Sequence, residues 1–319
     1  MSDMLGITSQ ALRRHFRVDL DYVVPNPSLE KRDYSKYFDR PDVTWNDWGA
    51  GRIWDQSHHY AEYLYPLSRA ETVAEIEAYP WPDLAADYRA AGMPEKVAEL
   101  HANGICVAGG LGDTIFETAW QIRSMDRLFE DMALNEAMAT ALLEKIMERR
   151  LPWARAYAAA GVDVIHLADD VATQNGLLMS RNMFAKWFKP FLQTLIRAAR
   201  EIKPDILFSF HSDGRINDLV PDLIEIGVDI LNPVQPECVD HRWIQTTYGE
   251  RLSFSGGLGV QSILPFGTVK EVREHVRETI EVLGRNHGLI IGPAHILERD
   301  IPPDNIKAML AAIDEFGGT

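Results

Sequence analysis

Residues 205–234, DILFSFHSDGRINDLVPDLIEIGVDILNPV, hold the reading on which the fold turns. An apolar run, DILFSFHS (205–212), gives way at Gly214 to an amphipathic stretch, INDLVPDLIEIG (216–227), and a second apolar run, DILNPV (229–234), follows at once. Continuous runs of this kind suit strands buried on both faces of a parallel sheet, and the helix between them is the crossover such strands need.

The unit recurs. GICVAGG (104–110), VDVIHLADD (162–170), LSFSGGLG (252–259) and GLIIGPAH (288–295) read as further strands, with helical patterns over 135–161, 181–202 and 269–284. Ser180 is placed to cap the second of these helices, while Gly227 and Gly284 stand where helices stop. Pro152 should break or kink the first. Five or more strand–helix repeats leave a doubly wound sheet or a closed barrel, and the reading adopted is one barrel with an irregular cap. The first hundred residues differ: 41–67 is dense in aromatics with a Trp-Gly turn signal, which predicts a hairpin-like lid, and YPWPDL (79–84) is a Pro-punctuated link. The expected organisation is a single domain, 1–319, with cap and lid over 1–84 and βα units over 85–319.

With 319 residues, 46% hydrophobic and 25% charged, the chain can bury a large core. Its net charge of −15 repels phosphate backbones and anionic lipid, so nucleic acid and membrane surfaces are not expected partners. The start MSDMLGITSQ carries neither the basic region nor the apolar core of a signal peptide, and two cysteines without CxxC spacing suit a reduced compartment. A cytoplasmic location is the expectation.

In a parallel barrel the working face lies at the carboxyl ends of the strands. The polar residues there are Asp113 and Glu117 after GGLG, Asp169 and Asp170 after VIHLA, His211 and Asp213 after ILFSF, Asn232 and Gln235 in NPVQP, Gln261 after GGLGV, and His295 in GPAHI. Side chains two apart on a strand point the same way, so His211 and Asp213 should face the mouth together as two legs of a metal site, with His295 as a third. Two imidazoles and a carboxylate suit catalytic zinc, and equally the facial triad of non-haem iron. The alternative is that Asp213-Gly214 is a helix cap or tight turn and His211 bonds a neighbouring backbone. Asp169 and Asp170 face opposite ways, so at most one reaches the mouth; period two aligns Asp170 with His166 and Val164 and selects it.

Other signals are weaker. GLGD and GGLG extend to neither nucleotide-phosphate motif. The Trp/Tyr cluster at 45–65 reads as lid packing, His58-His59 as surface, and Arg13, Arg14, Arg17, Lys31 and Arg32 as a solvated basic face. Cys106 belongs in the core, and Cys238 is a reserve metal ligand.

LSRAETVAEIEAYPWPD (67–83), HLADDVATQNGLLMS (166–180), FHSDGRINDLVPDLIEIGVDILNPVQPE (210–237) and GPAHILERDIPPDNIKAM (292–309) resemble the uroporphyrinogen decarboxylase superfamily. The resemblance implies a (β/α)8 TIM-type barrel, and covers haem-pathway decarboxylases as well as corrinoid-linked methyltransferases that act on coenzyme M or tetrahydrofolate. His295 occupies the place of the decarboxylases' late LGHG motif. Their N-terminal arginine segment has no counterpart, since Arg13, Arg14 and Arg17 lie in ALRRHFRVDL, and bidentate Arg pairing is what offsets carboxylate desolvation. The methyltransferases carry zinc on an H-x-C motif and a later cysteine; here His211, Asp213 and His295 stand at those positions. That set is harder than one with two thiolates, which weakens the case for thiol activation. The usual first strand is also missing from the start, so either DYVVP (21–25) replaces it or the barrel is open at its seam, where a homodimer or the cap would cover the edge.

These readings converge on an enzyme that moves a methyl group between a small methylated donor and a corrinoid protein or tetrahydrofolate. His211, Asp213 and His295 would hold zinc, Asp170, His295 and Glu117 would be catalytic, and Gln174, Asn232, Gln235 and Asp113 would bind substrate. The alternatives are decarboxylation of uroporphyrinogen or a related carboxylate, and a non-catalytic corrinoid or tetrapyrrole binder.

Overall fold

A computed structural model of the protein describes residues 19–30, 32–34, 36, 37, 40, 42–54 and 61–317. Its strands in chain order are β1 (Leu20–Val23), β2 (Thr44–Trp45), β3 (Gly51–Trp54), β4 (Ala61–Leu64), β5 (Cys106–Leu111), β6 (Val164–Ala168), β7 (Ala172–Thr173), β8 (Gly176–Leu177), β9 (Leu207–His211), β10 (Ile230–Asn232), β11 (Ser253–Leu258) and β12 (Leu289–Pro293). All six strands expected between residues 104 and 295 are present.

Seven strands form one parallel sheet in the order β1-β5-β6-β9-β10-β11-β12. The order never reverses, so every crossover runs over the same face; a doubly wound sheet would reverse and carry helices on both. Against the eight closed strands expected, the curled sheet has seven among the described residues, and β12 is not paired to β1. DYVVP does supply the first strand, β1, with Leu20 opposite Cys106 and Val23 opposite Gly109. The segment read as cap therefore contributes to the sheet.

Alternation sorts the side chains. Val107, Leu111, Ile165, Leu167, Phe208, Phe210, Leu231 and Phe254 join the main core beneath the helices. Ala108, Val164 and Ile230 form a separate small cluster with Leu20 and Cys106 on the inner face. Period two carries that inner series upward through Gly110, His166, Ala168, Ser209, His211, Asn232 and Ser255, which are small or polar and leave room at the mouth.

Helix ends follow local chemistry. Ser180 Oγ accepts from the Met183 N–H at 3.2 Å, Thr268 and Glu271 form a capping box, and Gly227 closes its helix at φ 98°. Two helices have bounds other than the simplest reading of the sequence suggests. Helix Glu136–Ala160 runs through Pro152 unbroken, held on both sides of it by the buried Leu142, Ile146, Trp153 and Tyr157. Packing of this kind outweighs the roughly 3 kcal/mol cost of an internal proline. Conversely, 181–202 is two helices, Arg181–Trp187 and Lys189–Arg200. Pro190 sits in the first turn of the second, where its missing N–H costs nothing.

The expected hairpin appears as β2 and β3, extended by β4 into a three-stranded antiparallel sheet. Its turn needs Gly49, at φ 79°, because a Cβ there would lie 2.1 Å from Tyr79 Oη. The sheet packs on helix Phe116–Arg123: Arg52 Nη2 donates to Gln121 Oε1 at 3.0 Å, and the Tyr63 and Trp120 ring centroids are 4.9 Å apart. His58 and His59, like Arg13, Arg14, Arg17 and Lys31, lie outside the described residues. Arg32 pairs with Glu30 at 2.6 Å. No helix among the described residues is long and apolar enough to cross a membrane.

Candidate active site

The inner series of β6 and β9 each end in an aspartate, and the two strands are paired with Ala168 opposite His211. Asp170 and Asp213 therefore leave adjacent strands side by side. Asp170 Oδ1 accepts from the Asp213 N–H at 2.8 Å, and His211 Nε2 lies 3.6 Å from Asp170 Oδ1 and 3.9 Å from Asp213 Oδ1. One ligand atom from each of the three falls within 4.8 Å of the others.

A tetrahedral ion with bonds of about 2.1 Å would hold its ligand atoms roughly 3.4 Å apart, so this spacing needs little adjustment to close on a cation. One imidazole and two carboxylates make a hard to borderline donor set with no thiolate. The residues thus fit a divalent cation, zinc included. The group shares His211 and Asp213 with the expected set and adds Asp170 beside them. His295 Nε2 sits 3.8 Å from Asp213 Oδ2, half exposed, beyond the three. Cys238 is also outside the group, its thiol pushed up by burial and by the charges of Glu237 and Asp213.

The His211 ring is oriented from behind. Its Nδ1 meets Asn232 Oδ1 at 2.6 Å, while Asn232 Nδ2 donates to Ser255 Oγ at 3.1 Å and to the Ser255 carbonyl at 3.3 Å. A backbone carbonyl can only accept, so the amide nitrogen of Asn232 faces it and the oxygen faces His211. Nδ1 must then carry the proton, which leaves Nε2 as the lone-pair nitrogen toward the carboxylates. Asn232, expected to contact substrate, is bonded to the His211 ring and to Ser255.

Asp213 is not a helix cap. The helical turn after it begins at Asn217 with Ile216 before it. The tight turn is real, with Gly214 at φ 86°. Burial, and next the charge of Asp170, push the Asp213 carboxyl up. Gln235, expected at the substrate, is buried, and its Oε1 accepts from the Gly214 N–H at 3.3 Å. Gln174 bonds to Gln261 on the exposed rim.

Asp169 faces away from Asp170, as alternation requires. It is buried and accepts from the N–H groups of Ile115, at 3.0 Å, and Glu117, at 2.9 Å. It caps helix Phe116–Arg123, and burial nevertheless pushes its carboxyl up to about 7. Glu117, in the first turn of that helix, is pushed up to about 9 by burial and then by the charges of Asp113, Asp169 and Asp170, with the Asp170 N–H opposing. It carries a proton at neutral pH beside the carboxylate pair. Asp113, at φ 51°, stands 3.9 Å from Arg52 Nη2.

Two features escaped the sequence reading. His166, held by Ser209 at 2.8 Å, is pushed down to about 4 by burial and by His211, and so lines the inner face as a neutral imidazole. Its place in the period-two series was the available signal. Arg52 reaches Asp113 from the antiparallel sheet, and nothing in the local sequence marks it.

Residues 71–316 match the family described as uroporphyrinogen decarboxylase. The chain belongs to this family. Within the uroporphyrinogen decarboxylase family its curated relatives carry two kinds of chemistry. A methylcobamide:CoM methyltransferase, MtaA, of Methanosarcina barkeri is 25% identical over 198 residues, 62% of this chain and 51% of the relative. A uroporphyrinogen decarboxylase of Solibacter usitatus is 23% identical over 227 residues, 70% of this chain and 63% of the relative. The chain thus spans between about half and two thirds of these relatives' length. A solved methyltransferase from Methanosarcina mazei shares the fold at a TM-score of 0.68 and 19% identity, covering 97% of this chain and 84% of that one.

Proposed function

We propose that this family member is a metal-dependent methyltransferase or demethylase component that takes a methyl group from a small oxygen-bound methyl donor and passes it to the cobalt(I) of a corrinoid, with tetrahydrofolate the other candidate acceptor. The observation that carries the reading is the convergence of Asp170, His211 and Asp213 at the strand ends. Asp170, His211 and Asp213 would hold the cation, zinc being the first candidate, and when bound it supplies Lewis acidity toward the donor's heteroatom. With no thiolate in the set, oxygen suits the site better than sulfur.

The protein's own groups have separable tasks. Asn232 keeps His211 in the tautomer that offers Nε2. Asp169 pins the start of helix Phe116–Arg123, which fixes Glu117 over the carboxylates. A corrinoid, when bound, would supply the nucleophile that accepts the methyl group; the donor's oxygen would be left as an oxyanion, and the proton on Glu117 is available to it. His295 and Gln174, at the exposed rim, would meet the bound donor.

Metal analysis of the wild type and His211→Ala, followed by transfer to cob(I)alamin from a panel of methyl ethers read by visible absorbance, tests the proposal. Near-stoichiometric metal lost in the variant, with methylcobalamin formed by the wild type, is expected. Absence of both refutes it. Decarboxylation is the second reading, supported by the Solibacter relative and by a proton held on Glu117, where a carbanion would need one; anaerobic turnover of uroporphyrinogen would establish it.

A further inference from the structure

A cavity of about 300 Å³ opens where β1 and β5 end, on the helix side of the sheet, and is lined by Asp47, Trp48, Arg89, Arg150, Trp153 and Tyr157. Two buried guanidinium groups meet there. Arg89 is 5% exposed; its Nη2 donates to Asp47 Oδ2 at 2.7 Å, whereas Nε and Nη1 are buried with no acceptor. A desolvated cation with two orphaned donors is costly unless something accepts from it, and such groups call for an explanation. Arg150 is buried and donates to the carbonyls of Gly112, Asp113 and Thr114 and to the Thr118 hydroxyl, none of them a carboxylate. Against two cations the lining offers one anion, Asp47, whose side chain is half exposed.

The walls are aromatic. Trp48 lies under the Arg150 guanidinium at 4.9 Å, and Trp153 lies beneath Arg89 at 5.9 Å and beside Tyr157 with ring centroids 5.8 Å apart. We infer that this cavity is a second binding site, separate from the strand-end carboxylates, for a monoanionic carboxylate on a flat apolar body. Arg89 keeps two buried donors beyond the one given to Asp47, a carboxylate is the acceptor a guanidinium pairs with best, and the volume is at the lower end of small-molecule sites. Arg150 joins the cavity to residues 112–114, so an occupant bears on the loop that carries Asp113.

Calorimetric titration of the wild-type chain with sodium benzoate, benzamide and sodium phosphate tests the assignment, repeated on Arg89→Met and on Asp170→Asn. Saturable binding of one benzoate per chain is expected, weakened at least ~10-fold for neutral benzamide and in Arg89→Met, as loss of a charged hydrogen bond requires, and unchanged in Asp170→Asn. The inference is overturned if the wild type gives no saturable heat with benzoate, if benzamide binds equally well, if phosphate binds in its place, or if binding follows Asp170 rather than Arg89. The wild-type comparison of benzoate with benzamide decides the matter even where Arg89→Met does not fold.

Discussion

Replacing Glu117 by glutamine should flatten the stability of the metal-free protein between neutral and mildly alkaline pH. Glu117 is held at about 9 in the fold against an ordinary value of 4.5. Across that interval the native state keeps a proton that the unfolded chain has released, so stability falls as pH rises, and the contribution present below 4.5 is gone above about 9. Other groups act in other windows. Asp169, held at about 7, loses its share below neutrality, and the depressed His166 changes only between about 4 and its ordinary 6.5. The raised thiols of Cys106 and Cys238 respond above their ordinary 9.0. From about pH 7 to about pH 9 Glu117 dominates, and two units at about 1.4 kcal/mol each give roughly 3 kcal/mol. Urea unfolding at fixed ionic strength, followed by circular dichroism with the slope against urea checked for constancy, measures this directly. The wild type should lose about that much over the window and Glu117→Gln much less than 1 kcal/mol. Parallel curves for the two proteins would refute the claim that Glu117 is protonated at neutral pH.

Asn232→Leu should leave the protein folded and lower its metal affinity about 10- to 100-fold, by releasing the His211 tautomer; competition with a chromophoric chelator measures it. Asp169→Ala strips the acceptor from the buried N–H groups of Ile115 and Glu117 and should cost about 1–3 kcal/mol by urea unfolding at pH 8. Gly109→Ala would put a Cβ 2.5 Å from the Tyr157 ring; the overpacking should cost about 1–3 kcal/mol, and a melting temperature equal to the wild type's would contradict the close approach of β5 to helix Glu136–Ala160.

Much of the fold could be read from residue order, because strands buried on both faces announce themselves as unbroken apolar runs and glycines end the helices between them. Asp170 could be chosen over Asp169 for a similar reason: alternation along one strand is a local property. What could not be read depends on contacts between distant segments. Pro152 stays helical because Leu142 and Tyr157 are packed on either side of it, and Asp170 stands beside His211 because β6 and β9 are paired in register. Arg52 and Arg89 carry no local signature, and only the tertiary fold brings them to Asp113 and to the aromatic cavity.

The strand order has a consequence for how the chain is made. Each strand of the large sheet lies next to the one synthesised before it, so a nascent chain leaving the ribosome can add strands one at a time to an edge already in place. The exception is the first step. β1 emerges early and must wait, unpaired, while the antiparallel sheet and the helices up to Ala102 are translated before β5 arrives to meet it. Among the described residues β12 pairs with β11 and not with β1, so the last strand docks on β11, and joining these two end strands is not a step that folding must complete.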